Sequence, residues 1–469
     1  LVPHPDGGAL LHSGNLVPHP GGAPPPTPAS STNWERPTPP DPVALSPTLA
    51  RSERGRIGRR PCCNRHSDEH ELGWAGAIGA AWKRQDDRAA VSSQSQQAFQ
   101  SVALVVGSTG IVGASLVDIL PLPDTPGGSW KVYALSRRSL PPWSPPSSSS
   151  VTHIKVDLTD SAAVAEALTP LTDVTHVHVF YVALSPRPTE AQSRETNSAM
   201  LRNVLSVVVP TARRSSTDQA LLRPPRLQDP RPRAAVHRGG EDMPRLDIPV
   251  FYYDQEDVLL DAVARGAASA VSWSVHRPNL IFGFFPRSAT NIICSLCVYA
   301  AICLKEDIKL RWPGTRSAWE GFNTCSDADL IAEQHIWAAV DPMARNEAFN
   351  CSNGDIYKWK KLWPVLAGRF GLEWAGYEGE ENRFKVAEAM TGKEAVWAAI
   401  VAENDLAETK LDEVASWWLI DAVADQYGLD REILDSMNKS KEHGFLGFRN
   451  TVKSFNTWID KLKAHKIVP

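Results

Sequence analysis

The sequence predicts a doubly wound, mostly parallel α/β sheet followed by a mostly helical C-terminal region. Three features predict it: short β-branched runs alternating with helical spacing from Val102 onward, a glycine-rich turn between the first run and the first helical segment, and an aromatic-rich C-terminal part. The chain has 469 residues, 42% of them apolar, enough for one α/β domain with an elaborated second region. A formal net charge of -4, spread along the chain, gives no electrostatic reason to expect nucleic acid or an anionic membrane as partner. No run of about 18 apolar residues is present, and the opening stretch carries prolines and histidines rather than an apolar signal core, so a cytoplasmic address is expected.

Residues 1–71 are rich in Pro, Gly, Ser and Arg and offer too little apolar surface to offset chain entropy. They read as a disordered extension or as translated non-coding sequence. Residues 72–100 form an N-terminal segment ending in a polar Ser/Gln linker. Regular structure is then expected over 101–283, a nucleotide-binding domain, and over 284–469, a substrate-binding and helical region. Val102 to Val106 is the first strand, with the continuous apolar character of a buried parallel strand, and Leu116, Ile119 and Leu120 follow at helical spacing. Lys131 to Leu135, His153 to Val156 and His176 to Val182 are the next three strands, and a helix is expected from about Thr189 to Val207. Strand and helix alternate throughout, which requires right-handed crossovers and a parallel sheet covered on both faces, a Rossmann-like arrangement.

Seven cysteines are scattered, an odd number that fits reduced thiols rather than a disulfide framework. Cys294-x-x-Cys297 has the spacing of a metal or redox pair, but it sits in the apolar run Ile292 to Ile302 without a second pair, so a packed helix is expected. Cys62, Cys63, His66 and His70 also mimic ligand spacing, in polar sequence without periodicity. No metal is expected at either place.

Gly107-Ser-Thr109-Gly110-Ile111-Val112-Gly113 follows the first strand and opens the first helix. Glycines there permit a tight turn, close backbone approach to a pyrophosphate and close helix packing, while the helix aims N–H groups and its positive end at the phosphates. An NAD site would place an acid at the end of the second strand to hold the ribose 2′-hydroxyl. This chain has Arg137 and Arg138 there, and a guanidinium pairs instead with a 2′-phosphate, so NADPH is the expected cofactor. Two arginines on a solvated turn is the plainer reading. Asp157 and Leu158, at the end of the third strand, lie where such folds hold the adenine.

Several strings outside the generic fold narrow the reading: Leu120-Pro-Leu-Pro-Asp-Thr-Pro-Gly-Gly128, Ser272-Trp-Ser-Val-His-Arg-Pro278 with Ile281-Phe-Gly283, Cys325-Ser-Asp-Ala-Asp-Leu-Ile-Ala332, and Asn438-Lys-Ser-Lys-Glu-His-Gly-Phe-Leu-Gly-Phe448. With these, residues 72–209 and 241–469 resemble the plant progesterone 5β-reductase and iridoid synthase family of extended short-chain dehydrogenases. The resemblance implies NADPH-dependent 1,4-reduction of enones such as 3-oxo-Δ4 steroids, 8-oxogeranial or small cyclic enones, and a homodimer. It implies Tyr252, within Phe251-Tyr252-Tyr253, as the donor to the developing enolate oxygen, Ile281 as a cofactor contact, and Phe445 and Phe448 as substrate-side residues. Glu256 and Asp257 stand four residues after Tyr252 and Tyr253, where ordinary short-chain dehydrogenases carry lysine. The family draws its lysine from an upstream strand instead.

That upstream segment is not recognisable. From Pro210 to Gly240 the chain holds seven arginines and little apolar periodicity, and no lysine occurs between Lys155 and Lys305. Arg233-Ala-Ala-Val-His-Arg238 can be encoded so that the frame one base later reads Ala-Pro-Pro-Phe-Thr-Glu, the family's wording before Glu-Asp-Met-Pro-Arg-Leu, which stands here at Glu241 to Leu246. Residues 210–240 are therefore expected to be a frameshifted, disordered segment lacking the fifth strand. On this reading the chain is either a reductase impaired by the missing lysine, or a nucleotide-binding pseudoenzyme or non-functional product.

Overall fold

A computed structural model describes residues 99–469, apart from 141–142, 145–147, 172–176, 213–216, 223–236, 240, 242–244, 246–248, 266–270 and 429–431. The expectations for residues 1–71 and for most of 72–100, with Cys62, Cys63, His66 and His70, lie outside the described residues.

Seven parallel strands form the central sheet: β1 (Ser101–Val106), β2 (Trp130–Ser136), β3 (Val151–Lys155), β4 (Val177–Tyr181), β5 (Thr217–Leu222), β6 (Val271–Pro278) and β7 (Glu347–Cys351). Their spatial order is β7-β6-β5-β4-β1-β2-β3. The chain thus starts in the middle, winds outward to β3, returns past β1 and continues to the other edge. The reversal between β1 and β4 opens a crevice at the carboxyl ends of those strands, which is where doubly wound sheets bind ligands.

Alternation along β1 shows how both faces are covered. Ala103 and Val105 join one apolar core while Leu104 and Val106 join the other, because successive side chains of a strand point to opposite faces. The first core contains α1 (Ile111–Ile119). The second is built with α2 (Ser161–Leu168), α3 (Glu190–Ala212) and α4 (Phe251–Arg265). All four predicted strands and the α3 helix are present, with ends moved by at most five residues.

The expected loss of the fifth strand is corrected. Thr217–Leu222 pairs in parallel with both β4 and β6, Tyr181 opposing Leu221 and Leu221 opposing Val275. A three-residue strand, His237–Gly239, pairs with Ile433–Asp435. The physical reason is that ladder pairing is made by the peptide backbone, whatever side chains the segment carries. Thr217-Asp-Gln-Ala-Leu-Leu222 contains neither Gly nor Pro, so its N–H and C=O groups can complete the ladder that β4 and β6 would otherwise leave open. The missing lysine is untouched by this correction.

The C-terminal region packs around α5 (Ile292–Lys305), whose residues from Ile292 to Cys303 are all buried. Cys294 and Cys297 are free, fully buried thiols in this helix, and burial pushes the Cys297 pKa up to about 12. A packed helix is what the sequence led one to expect there. Next come α6 (Ala328–Val340), which packs on α1, and α7 (Trp359–Phe370). Trp312 lies with its ring centre 5.3 Å from Trp319 and 5.1 Å from Trp363, so much of the aromatic content of this region is core. The last helix, α8 (Thr451–Ala464), buries Phe455, Trp458, Ile459 and Leu462, whereas Val452 is exposed.

α8 is held by a buried polar cluster. Asp327 caps α6 by accepting from the amides of Asp329 and Leu330, and also accepts from Ser454 Oγ at 2.5 Å and Trp458 Nε1 at 2.9 Å. Arg449 pairs with Glu333 at 2.6 Å. Among the described residues no helix is long and apolar enough to cross a membrane.

Candidate active site

The turn between β1 and α1 is shaped by its glycines. Gly107 has φ +97, a conformation that side chains rarely adopt, and a Cβ there would lie 2.8 Å from the Ala183 backbone. A Cβ on Gly113 would lie 2.1 Å from the Gly107 carbonyl oxygen. Gly283, two residues beyond Ile281, leaves no room either: its Cβ would meet Ile111 at 2.6 Å and Ala328 at 2.7 Å. The backbone of the turn is thus pressed between the segment after β4 and the strand Leu280–Phe282 that carries Ile281. Gly110 is the α1 N-cap, and no side chain caps it. Thr109 and Gly110 are half-buried while Ile111, Val112 and Gly113 are buried, so what this turn offers to its surroundings is backbone rather than side chains.

At the end of β2, Arg137 and Arg138 are exposed. Arg138 Nη2 donates to the carbonyl oxygen of Arg287 at 3.4 Å. Burial, then the neighbouring Arg137 and Arg287 guanidiniums, lower the Arg138 pKa, while Glu413 raises it. Asp157 is also exposed, and its carboxylate accepts from Thr159 N at 3.0 Å and Thr159 Oγ1 at 2.8 Å. These bonds lower its pKa and keep it ionised. Leu158 is buried, and its carbonyl accepts from Asn203 Nδ2 of α3 at 2.9 Å.

Tyr252 stands in the first turn of α4, half-buried, its ring 3.7 Å from that of Phe251. Four contacts fix that turn. Glu190, at the start of α3, accepts from the Phe251 amide at 2.7 Å. Arg194 grips Asp254 with two hydrogen bonds of 2.6 and 3.0 Å. Gln255 donates to the Asn197 carbonyl at 3.3 Å, and fully buried Asn197 itself braces the loop after β4 through Ser185. Because α3 starts just beyond the carboxyl end of β4, these bonds hold Tyr252 on the same edge of the sheet as the glycine turn. Sequence reasoning missed Glu190, Arg194, Asn197 and Gln255. Their partners lie up to 61 residues away, and no local pattern marks them.

Glu256, in the position where a lysine is ordinary, has a structural task. It accepts from Arg245 Nη2 at 2.9 Å and pairs with Arg277 at 3.6 Å, and Arg245 also lies over the Tyr253 ring at 5.1 Å. Tyr253 is buried.

Phe445 and Phe448, expected on the substrate side, differ in exposure. Phe445 is fully buried with its ring 5.4 Å from Trp337 of α6, a core contact. Phe448, 62% exposed, is on the surface. Among the described residues no group of three or more His, Cys, Asp or Glu could hold a metal ion.

Comparison with known proteins agrees with this architecture. Residues 103–469 match the model of the PRISE-like Rossmann-fold domain. The chain is 51% identical over 403 residues to a 3-oxo-Delta(4,5)-steroid 5-beta-reductase of Arabidopsis thaliana, covering 84% of this chain and 99% of that protein. It is 49% identical over 403 residues to an (S)-8-oxocitronellyl enol synthase of Nepeta cataria, with the same coverage. Among solved structures, the terminal R domain of the myxalamid PKS-NRPS pathway shares the fold at TM-score 0.53 and 13% identity, over 80% of this chain and 93% of that one. A putative epimerase from Burkholderia cenocepacia does so at 0.51 and 17%, over 78% and 99%. The sheet order, the glycine turn and these matches agree: the chain belongs to the PRISE-like Rossmann-fold family.

Proposed function

We propose that this chain is an NADPH-dependent reductase of α,β-unsaturated carbonyl compounds whose turnover is held low by the lack of a lysine at its tyrosine. The observation that carries the reading is the glycine turn pressed against Ala183 and Gly283, with Arg137 and Arg138 at the end of the neighbouring strand. A backbone with no room for a Cβ is a cradle for a pyrophosphate, and two guanidiniums suit a 2′-phosphate. The relatives support the substrate class, since a 3-oxo-Δ4,5 steroid has its C=C conjugated to a carbonyl.

A dinucleotide held by the glycine turn and by Arg137 and Arg138 would supply the hydride for the β-carbon. Negative charge then builds on the carbonyl oxygen, and the Tyr252 hydroxyl donates a hydrogen bond to it. Such a donor lowers the barrier because the bond strengthens as charge develops, and losing one costs roughly 100- to 1000-fold in rate. A nearby ammonium would make the phenol a better donor, but no lysine lies between Lys155 and Lys305. Arg245 does not replace it, because its guanidinium is engaged by Glu256 and Asp257. The same absence favours a second reading, a nucleotide-binding protein that turns nothing over.

Direct titration separates these. NADPH should bind at least tenfold more tightly than NADH, and NADPH should be oxidised slowly when 2-cyclohexen-1-one or progesterone is added, a rate that Tyr252→Phe abolishes. Equal affinity for the two dinucleotides contradicts the cofactor assignment. Binding with no enone-dependent oxidation selects the second reading.

A further inference from the structure

Beside Arg138 lie two buried donors that find no acceptor among the described residues. Trp143, on the segment after β2, and Arg287, just before α5, meet with the guanidinium centre 5.1 Å from the Trp143 ring. Arg287 Nη2 is paired with Glu413 Oε2 at 3.3 Å, and the Arg287 carbonyl accepts from Arg138. Among the described residues, however, neither Trp143 Nε1 nor Arg287 Nε has a hydrogen-bond partner, although both atoms are buried. Buried donors are nearly always satisfied, so two orphans in contact leave a place for an acceptor that the described residues do not supply. The charges ask for the same thing. Arg137, Arg138 and Arg287 stand against the single carboxylate of Glu413, a formal excess of two positive charges among these four residues. A phosphate monoester brings about two negative charges and three strong acceptor oxygens.

We propose that Trp143 and Arg287 complete the site for the ribose 2′-phosphate alongside Arg137 and Arg138, and that Glu413 holds Arg287 in place until the phosphate competes for it. Specificity for the phosphorylated cofactor is then shared between the end of β2 and the segment that enters the substrate region. A ligand bound there would brace the two against each other. The inference rests on the NADPH reading above and extends it to residues that no sequence pattern marks.

The test uses the full chain and two probes without a nicotinamide, adenosine 2′,5′-bisphosphate and 5′-AMP, titrated calorimetrically. Arg287→Gln should weaken the bisphosphate about tenfold and leave 5′-AMP within about twofold, the loss of one charge-assisted contact. Trp143→Phe, which keeps the ring and removes the N–H, should weaken it about threefold. Glu413→Gln should strengthen it about threefold, since it removes the competitor for Arg287. That change of sign is not expected of a merely structural ion pair. If the wild-type chain prefers the bisphosphate and Arg287→Gln does not alter the preference, the inference is overturned while the NADPH reading stands. If Glu413→Gln weakens both probes equally, Glu413 is structural and the inference is likewise overturned. If the wild-type chain does not distinguish the probes, both fall.

Discussion

His276 of β6 and His335 of α6 are stacked with ring centres 3.9 Å apart, and both are fully buried. His276 Nδ1 meets Gln334 at 2.8 Å and Nε2 meets Ser274 at 3.0 Å. Burial lowers the His276 pKa to about 4 from an ordinary 6.5, and burial with the neighbouring His276 drives His335 well below its ordinary value. Both rings are therefore neutral in the folded protein. A histidine whose folded pKa is depressed destabilises the fold on acidification, because the unfolded chain takes the proton first. Its stability contribution is intact above pH 6.5, falls as the pH drops toward 4, and changes no further below that. The loss from His276 alone is about 3 kcal/mol, against a total of roughly 5 to 15 kcal/mol.

Two carboxyls act in the opposite direction over part of that range. Burial raises the pKa of Glu333 to about 7 and that of Asp435 to about 6, so protonating them favours the folded state as the pH falls. The observable is therefore a difference. Urea unfolding of the wild type and of His276→Gln, which cannot take a proton but can keep hydrogen bonds to Ser274 and Gln334, should be compared at pH 7.5, 6, 5 and 4. The variant should be the less stable protein at pH 7.5 and should recover about 3 kcal/mol relative to wild type by pH 4. Parallel curves for the two proteins would refute the claim that His276 is buried and neutral.

Three further outcomes follow from the geometry. Gly113→Ala places a Cβ 2.1 Å from the Gly107 carbonyl and should abolish NADPH binding, read by fluorescence titration, or prevent folding, read by circular dichroism. Unchanged binding would mean the turn is not built as described. Arg449→Met strands the buried carboxylate of Glu333 and leaves Asp327 without its nearest guanidinium, and should cost about 3 to 5 kcal/mol in urea unfolding at pH 8, less at pH 6 where Glu333 can take up a proton. Arg194→Ala releases the bidentate grip on Asp254 and should lower enone-dependent NADPH oxidation with little change in NADPH affinity, because it loosens Tyr252 and not the glycine turn.

Much of the fold was legible because parallel strands are buried on both faces and so read as apolar runs. Val102 to Val106 and Lys131 to Leu135 stand out for that reason, as does Ile292 to Ile302, whose apolar context correctly outweighed its Cys-x-x-Cys spacing. β5 was not legible. Between β4 and β6 any six residues free of proline can join the ladder, and Thr217-Asp-Gln-Ala-Leu-Leu222 carries almost no periodicity to announce it. In α8 the buried Phe455, Ile459 and Leu462 stand at helical spacing, and Trp458 joins them by donating its indole N–H to the distant Asp327. The glycine turn and the arginine pair at the end of β2 were readable as local motifs. What anchors them was not, because Arg138 and Arg287 are 149 residues apart, and Glu190 and Phe251 are 61 apart. The burial of Phe445 against Trp337 was not legible either, because the two lie far apart in the chain.

The measurement that bears most directly on the whole account is NADPH oxidation with 2-cyclohexen-1-one, run on protein already shown by titration to bind NADPH, beside the Arabidopsis steroid reductase under the same conditions. The expected rate is at least 100-fold below that of the relative, in a protein that binds the cofactor well. A rate equal to the relative's would contradict it, because it would show that the chemistry proceeds without the ammonium this chain lacks.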